Sequence, residues 1–184
     1  DLMVSVTIGS LFITPYLIRY ALPIGNFVER KLRRWTPAVA EHEPAELPAH
    51  GHVVIVGFGP AGRAIADALG RDGPPITVID LNPRTVLAAR SEGFAALVGD
   101  AGSVEIIDHA RVQSAKAVVV TLPDHRAAIA TIERVRAFCP NVPIIARARY
   151  HVYVGALRMA GAQSVIDEET TVGEHLGEAV RQAL

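Results

Sequence analysis

The residues best suited to chemistry form one short stretch. Gly57-Phe-Gly-Pro-Ala-Gly62 is a G-x-G-x-x-G segment set between an aliphatic run, Val53–Val56, and an alanine-rich helical pattern. That spacing suits a phosphate ligand. Gly57 permits a tight turn off a strand, Gly59 lets the backbone approach a pyrophosphate, and Gly62 lets the following helix pack closely on its strand. The first turn of that helix offers unpaired N–H groups to an anion. Asp80 closes the next apolar run and is placed to accept hydrogen bonds from ribose hydroxyls.

Other reactive residue types invite plainer readings. Asp124-His125 is the acid–imidazole pair nearest a strand end, and Asp124 is expected to cap the following helix with His125 exposed. Asp167, Glu168 and Glu169 could pair as acids or hold a metal, but acids at a helix start complement its dipole. His42, His50 and His52 lack partners at ligand spacing and read as solvated linker residues, so no metal site is expected. The one cysteine, Cys139, rules out an internal disulfide and reads as a buried or half-buried thiol before Pro140. Arg147 and Arg149 could reach a phosphate or a neighbouring subunit; strand alternation splits them from Ala146 and Ala148, and one is expected to be buried and functional and the other solvated.

The elements that must position these groups follow from the apolar pattern. Strands are expected at Val53–Val56, Ile76–Ile79, Ala95–Val98, Ala117–Thr121, Pro143–Ala146 and Ser164–Ile166. Helical patterns alternate with them. The first, Pro60–Leu69, is expected to bury Ala61, Ile65, Ala68 and Leu69. The second opens at Asn82-Pro83 with a cap and a first-turn proline. A third runs through Val104, Ile107 and Ala110, and a fourth ends near Phe138. The last two are expected over Arg149–Gly161, with Val152, Ala156, Leu157 and Met159 near one face, and Val172–Leu184. Continuous Val/Ile runs between helices mean an α/β fold with a parallel sheet covered on both faces. The expected architecture is a Rossmann-like doubly wound sheet of order 3-2-1-4-5-6, with its ligand at the carboxyl ends of the strands. Gly57, Asp80, Asp100 and Thr121 all fall at such ends.

The remaining 50 residues differ in kind. Leu2 to Ile18 contains no charged residue, and extension to Leu22 makes a full bilayer span. Residues 1–22 are therefore expected to be a transmembrane helix, kinked at Pro15, rather than a signal peptide or a core helix. Arg30, Lys31, Arg33 and Arg34 follow it and put the downstream side in the cytoplasm by the positive-inside rule. Residues 23–50 are expected to be a basic exit and a proline-rich spacer through Pro37, Pro44 and Pro48, leading to a domain over 51–184. The chain begins inside an apolar run and reads as part of something longer. A formal net charge of −1 over 184 residues gives no reason to expect a nucleic-acid partner.

The domain resembles the RCK N-terminal (TrkA-N) family. The resemblance is carried by Gly57-Phe-Gly-Pro-Ala-Gly62, Val78-Ile-Asp80 before Asn82-Pro83, and Val98-Gly-Asp100-Ala101. Further along it is carried by Ile144-Ile-Ala-Arg-Ala-Arg149, Ala160-Gly-Ala162 and Val165-Ile-Asp-Glu-Glu169. An apolar helix with Thr14-Pro15, a basic exit and a spacer before such a domain resemble the Kef-type cation:proton antiporter-2 architecture, with residues 1–22 as the last transporter span. The resemblance implies the regulatory domain of a potassium (monovalent cation)/proton antiporter in the inner (plasma) membrane. It implies NAD(H), AMP or another adenine nucleotide as a regulatory ligand, and a homodimer through the RCK domain. By the same resemblance Gly57, Phe58, Gly59 and Gly62 hold the phosphates, Asp80 the ribose, and Asp100 with Ala101 the adenine side. Pro60, Ala61, Leu81, Thr121 and Leu122 complete the expected contact set. A potassium-channel or Trk-type uptake regulatory subunit is the nearest alternative. An NAD-dependent oxidoreductase is the second, disfavoured because hydride transfer needs a second lobe and a proton donor, and none is evident. No enzyme activity is expected.

Overall fold

The computed structural model describes residues 47–70 and 72–184. The transmembrane helix expected over 1–22, the basic exit, most of the spacer and His42 lie outside the described residues. Among the described residues no helix is long and apolar enough to cross a membrane.

Six strands, β1 (Val53–Val56), β2 (Ile76–Asp80), β3 (Ala95–Val98), β4 (Ala117–Val120), β5 (Ile144–Ala148) and β6 (Ser164–Asp167), form one sheet. Its order is β3-β2-β1-β4-β5-β6, and every neighbouring pair is parallel. The helices are α1 (Pro60–Leu69), α2 (Pro83–Ser91), α3 (Val104–His109), α4 (His125–Phe138), α5 (Val154–Met159) and α6 (Glu168–Ala183). Two 3-10 turns, Val112–Ser114 and His151–Tyr153, complete the set among the described residues. The doubly wound sheet expected from the alternation is the one present.

Strand alternation divides the core. Val53 and Ile55 of β1 pack with Ala66 of α1 and with Val86 and Ala89 of α2. Val54 and Val56 face the other way, among Ile107 of α3, Ile132 and Val135 of α4, and Leu157 of α5. Both sheet faces are thus covered, as parallel sheets require. The crossover from β3 to β4 passes over β1 and β2, so the chain reverses direction between β1 and β4 and opens a crevice at their carboxyl ends.

Several local expectations differ from the structure for identifiable reasons. In α1 the buried positions are Gly62 and Ala66, one turn apart, and Ala68 is exposed on the far side. Alanine favours the helix whether or not it is buried, so it marks the helix without marking its face. β5 runs two residues past Ala146, and α5 starts only at Val154. The chain between them is held in a 3-10 turn, where the His151 N–H donates to Glu169 Oε2 at 2.8 Å. Val152 and Met159 are therefore exposed, and Leu157 alone of that face is buried. α6 begins at Glu168, four residues before the expected Val172, because Asp167 caps it by accepting from the Glu169 N–H. His52 is not a solvated linker residue: it is fully buried ahead of β1 and its Nε2–H donates to the Ala110 carbonyl at 2.9 Å.

Candidate functional site

The turn from β1 into α1 is shaped by three glycines in three ways. Gly57 has φ +90°, and a Cβ there would sit 2.9 Å from Thr121 Oγ1. A Cβ on Gly62 would lie 2.3 Å from the Gly57 carbonyl oxygen, inside any real contact distance. Gly59, the residue that caps α1, has nothing within 4 Å of its Cβ direction. The first two glycines are required by the protein's own packing. The third opens onto a cleft.

That cleft, about 340 Å³, lies at the carboxyl ends of the strands. Gly57, Gly59, Pro60, Ala61, Asp80, Leu81, Asp100, Ala101, Thr121 and Leu122 line it, so ten of the twelve expected residues meet in one place. Gly62 stands behind the turn. Phe58 points inward: its ring is 1% exposed and packs edge-on against Phe94 at 5.6 Å between centroids. Its backbone N–H is also committed, donating to Asp80 Oδ2 at 2.8 Å. Phe58 therefore stiffens the loop from below and offers no donor to a phosphate. The N–H groups of the first turn of α1 have no acceptor one turn back within the helix, and they are the donors available at this turn.

Asp80 does two structural jobs. Besides holding the Phe58 N–H, it accepts the Asn82 N–H through Oδ1 at 2.8 Å. Asn82 in turn caps α2 by accepting from the Arg84 N–H at 3.0 Å. Each carboxylate oxygen retains an unused lone pair, so a ribose diol still finds two acceptors there. Asp100 is built the same way, with Oδ1 taking the Gly102 N–H at 2.8 Å. Thr121 is buried, and its hydroxyl donates to the Gly57 carbonyl at 2.6 Å. It locks the end of β1 to the end of β4 and presents little to the cleft.

Six further residues line the cleft: Val56, Ile79, Gly99, Pro123, Ala127 and Arg147. Arg147 is its one basic lining residue. Arg149, just past the end of β5, is exposed and lies over the Tyr150 ring. Arg147 is half-buried, with Nε donating to Glu168 Oε2 at 2.7 Å and Nη1 3.5 Å from the Thr121 carbonyl.

The other reactive residue types are used for structure. Asp124 caps α4, accepting from the Ala127 N–H at 2.8 Å. His125 is half-buried rather than exposed, its ring stacked on Tyr153 with 3.7 Å between centroids. Asp167 holds the Thr170 hydroxyl and His151 Nδ1, and these two hydrogen bonds keep its carboxyl below the ordinary carboxylate value. Cys139 is buried, and burial pushes its thiol pKa up. Among the described residues no three His, Cys, Asp or Glu side chains are placed to share a metal ion.

A second hollow, about 640 Å³ and open, lies at the opposite ends of β2 and β3, against Pro74, Pro75, Phe94 and Ala95. It lacks the glycine turn and the paired carboxylates.

Strand order, glycine turn and switch-point cleft together define a Rossmann-like α/β domain. The chain belongs to the TrkA-N domain family, which matches residues 53–168. It is 32% identical over 169 residues to a protein of Alkalimonas amylolytica named as a K(+) efflux antiporter, KefB, covering 89% of this chain and 25% of that protein. The crystal structure of the TrkA-N domain of inner membrane protein YbaL from Escherichia coli superposes with a TM-score of 0.67 at 29% identity. That match covers 71% of this chain and 96% of that one. The GsuK channel bound to NAD is similar at 28% identity and TM-score 0.62, over 90% of this chain and 30% of that one. The chain spans about a quarter of the length of the curated relatives it matches.

Proposed function

We propose that this chain is the nucleotide-sensing regulatory part of a membrane potassium (monovalent cation)/proton antiporter. One observation carries the reading: the cleft at the switch point is open above Gly59, floored by α1 N–H groups and walled by Asp80 and Asp100. A phosphate over the loop gains the N-terminal end of a helix, and a ribose beside Asp80 gains two acceptors. Gly57, Gly59, Pro60, Ala61 and Gly62 form the phosphate turn, Asp80 and Leu81 the ribose side, and Asp100 and Ala101 the adenine side. Phe58 and Thr121 act from behind, and Leu122 closes the edge. NAD(H), AMP and other adenine nucleotides are the ligand class. The GsuK structure bound to NAD supports this choice, and the K(+) efflux antiporter names of the relatives support the transport role.

The ligand is read and not reacted. The cleft's charged lining residues are Asp80, Asp100 and Arg147, and each already holds a backbone or side-chain partner. Residues 1–22 anchor the chain in the membrane, residues 23–50 transmit motion, and residues 51–184 lie in the cytoplasm as the sensor. The domain works as a dimer whose two arrangements bind the nucleotide unequally, so ligand shifts their populations. α6 supports a paired assembly: Val172, Leu176 and Val180 recur one turn apart and are all exposed. The GsuK likeness favours a second reading, a potassium-channel regulatory domain with the same sensor.

Calorimetric titration of the chain with AMP and with NAD tests the proposal. Saturable binding of at least one, weakened about 100-fold by Gly59→Asp, is expected. Heat-silent titrations with both would end the nucleotide reading.

A further inference from the structure

Arg147 belongs to two structures at once. Its guanidinium lines the cleft, and its Nε donates to Glu168, the first residue of α6. Among the described residues α6 buries none of its own side chains, and its polar anchors are concentrated in the first turn. Within the sheet, Asp80 and Asp100 lie at the ends of β2 and β3 on one side of the glycine turn. Arg147 lies on β5, across β4 on the other side. An adenosine seated on the Asp80 side places its first phosphate over β1. Two strand spacings, about 10 Å, separate β1 from the strand that carries Arg147. Negative charge that extends past the first phosphate therefore advances toward this guanidinium.

We infer that Arg147 senses nucleotide charge beyond the first phosphate and relays it to α6 by loosening its pair with Glu168. The inference rests on the nucleotide reading above. A guanidinium is a planar fork of five donors, and Glu168 takes the edge that includes Nε. The Nη1 side makes only a long 3.5 Å approach to the Thr121 carbonyl, so it is the side open to a second anion. A phosphate brought there faces the Glu168 carboxylate across one shared cation. The two anions repel, and whatever the phosphate gains, Glu168 and the first turn of α6 lose. Linkage makes the effect reciprocal, so removal of the Glu168 charge must tighten the same ligands. A monophosphate ends short of Arg147 and leaves the pair intact.

Titration of the full chain with AMP and ADP, in wild type, Arg147→Gln and Glu168→Gln, tests the relay. Arg147→Gln is expected to weaken ADP about tenfold and to change AMP by less than about twofold, the loss of one charge-assisted contact. Glu168→Gln, which leaves Arg147 in place, is expected to tighten ADP about threefold and leave AMP unchanged. Hydrogen exchange supplies an independent readout: amides 169–172 exchange faster with ADP bound than with AMP bound, and Glu168→Gln erases the difference. Equal losses of AMP and ADP in Arg147→Gln would make the residue a mere support of the cleft wall and overturn the inference. So would amides 169–172 equally protected under both ligands. If wild type bound neither nucleotide, the nucleotide reading itself would fall, whereas normal AMP binding with no Arg147 or Glu168 effect would sink only the relay.

Discussion

The β1–β2 corner and the β5–β6 corner share one edge of the sheet and are built from different materials. At β1–β2 the structure is made by absent atoms: Gly62 rests against the Gly57 carbonyl, and Asp80 accepts two backbone N–H groups at 2.8 Å each. At β5–β6 it is made by long side chains. Arg147 pairs with Glu168, and His151 with Asp167. A steric corner has no give, because backbone atoms cannot retreat without unwinding a helix or strand. An ionic corner half open to water gives easily, since solvent replaces each lost partner at small cost. The first corner suits a rigid cradle, and the second suits a part that responds to what the cradle holds.

The steepest test of this contrast is Gly62→Val. The new side chain starts 2.3 Å from a backbone oxygen, and the expected loss is about 3 kcal/mol in urea unfolding. Gly59→Asp, three residues away, meets nothing within 4 Å. Its unfolding midpoint is expected to stay within about 0.5 kcal/mol, as for a surface substitution. Its nucleotide affinity is expected to fall about 100-fold through like charge at the phosphate position. If both variants unfolded alike, the division between packing glycines and a ligand glycine would be wrong.

At the amino-terminal ends of β5 and β6, Arg136→Met removes donors from the Val142 and Gly161 carbonyls, each held at 2.9 Å, and from that of Pro140. The expected cost is about 2 kcal/mol in the same unfolding assay, since hydrogen bonds from a charged donor are among the stronger ones. A loss as large as that of Gly62→Val would erase the distinction between steric supports and supports made by long side chains.

The same contrast decides what could be read from the amino-acid order. The glycine turn, Asp80 and the Asn82-Pro83 cap are local devices, each complete within a few residues, and the structure keeps all three. Parallel strand order followed from the alternation of Val/Ile runs with helices. The Arg147–Glu168 pair was not legible. It joins residues 21 apart that meet because β5 and β6 pair with Arg147 opposite Ile166, a register no spacing announces. Alternation split Arg147 and Arg149 from Ala146 and Ala148 but could not say which arginine faced the cleft. His52 was misread for the related reason that its partner, the Ala110 carbonyl, lies 58 residues away. Ala68, Val152 and Met159 failed because small or apolar residues near helix ends carry no directional signal of their own.

The smallest effect belongs to the cap of α6 and tests whether the second corner is electrostatically soft. Hydrogen bonds from Thr170 and then His151 hold the Asp167 carboxyl below its ordinary 3.8. A group whose folded pKa is depressed contributes stability that is complete above the unfolded value and lost as pH falls through the folded one. The cap is therefore flat across neutral pH and weakens only in acid, below about pH 4, where protonation removes an acceptor from the Glu169 N–H and the Thr170 hydroxyl. Exchange of the amides at 169–172 is expected to rise over that acid range before the sheet amides of β1 and β4 respond. Thr170→Val should return the carboxyl toward its ordinary value and move the onset to higher pH, as read by the Asp167 carboxyl resonance in an NMR titration. An unchanged titration would mean that the Thr170 hydroxyl is not what holds the carboxylate down, and the ionic corner would then be stiffer than its open, solvent-facing contacts imply.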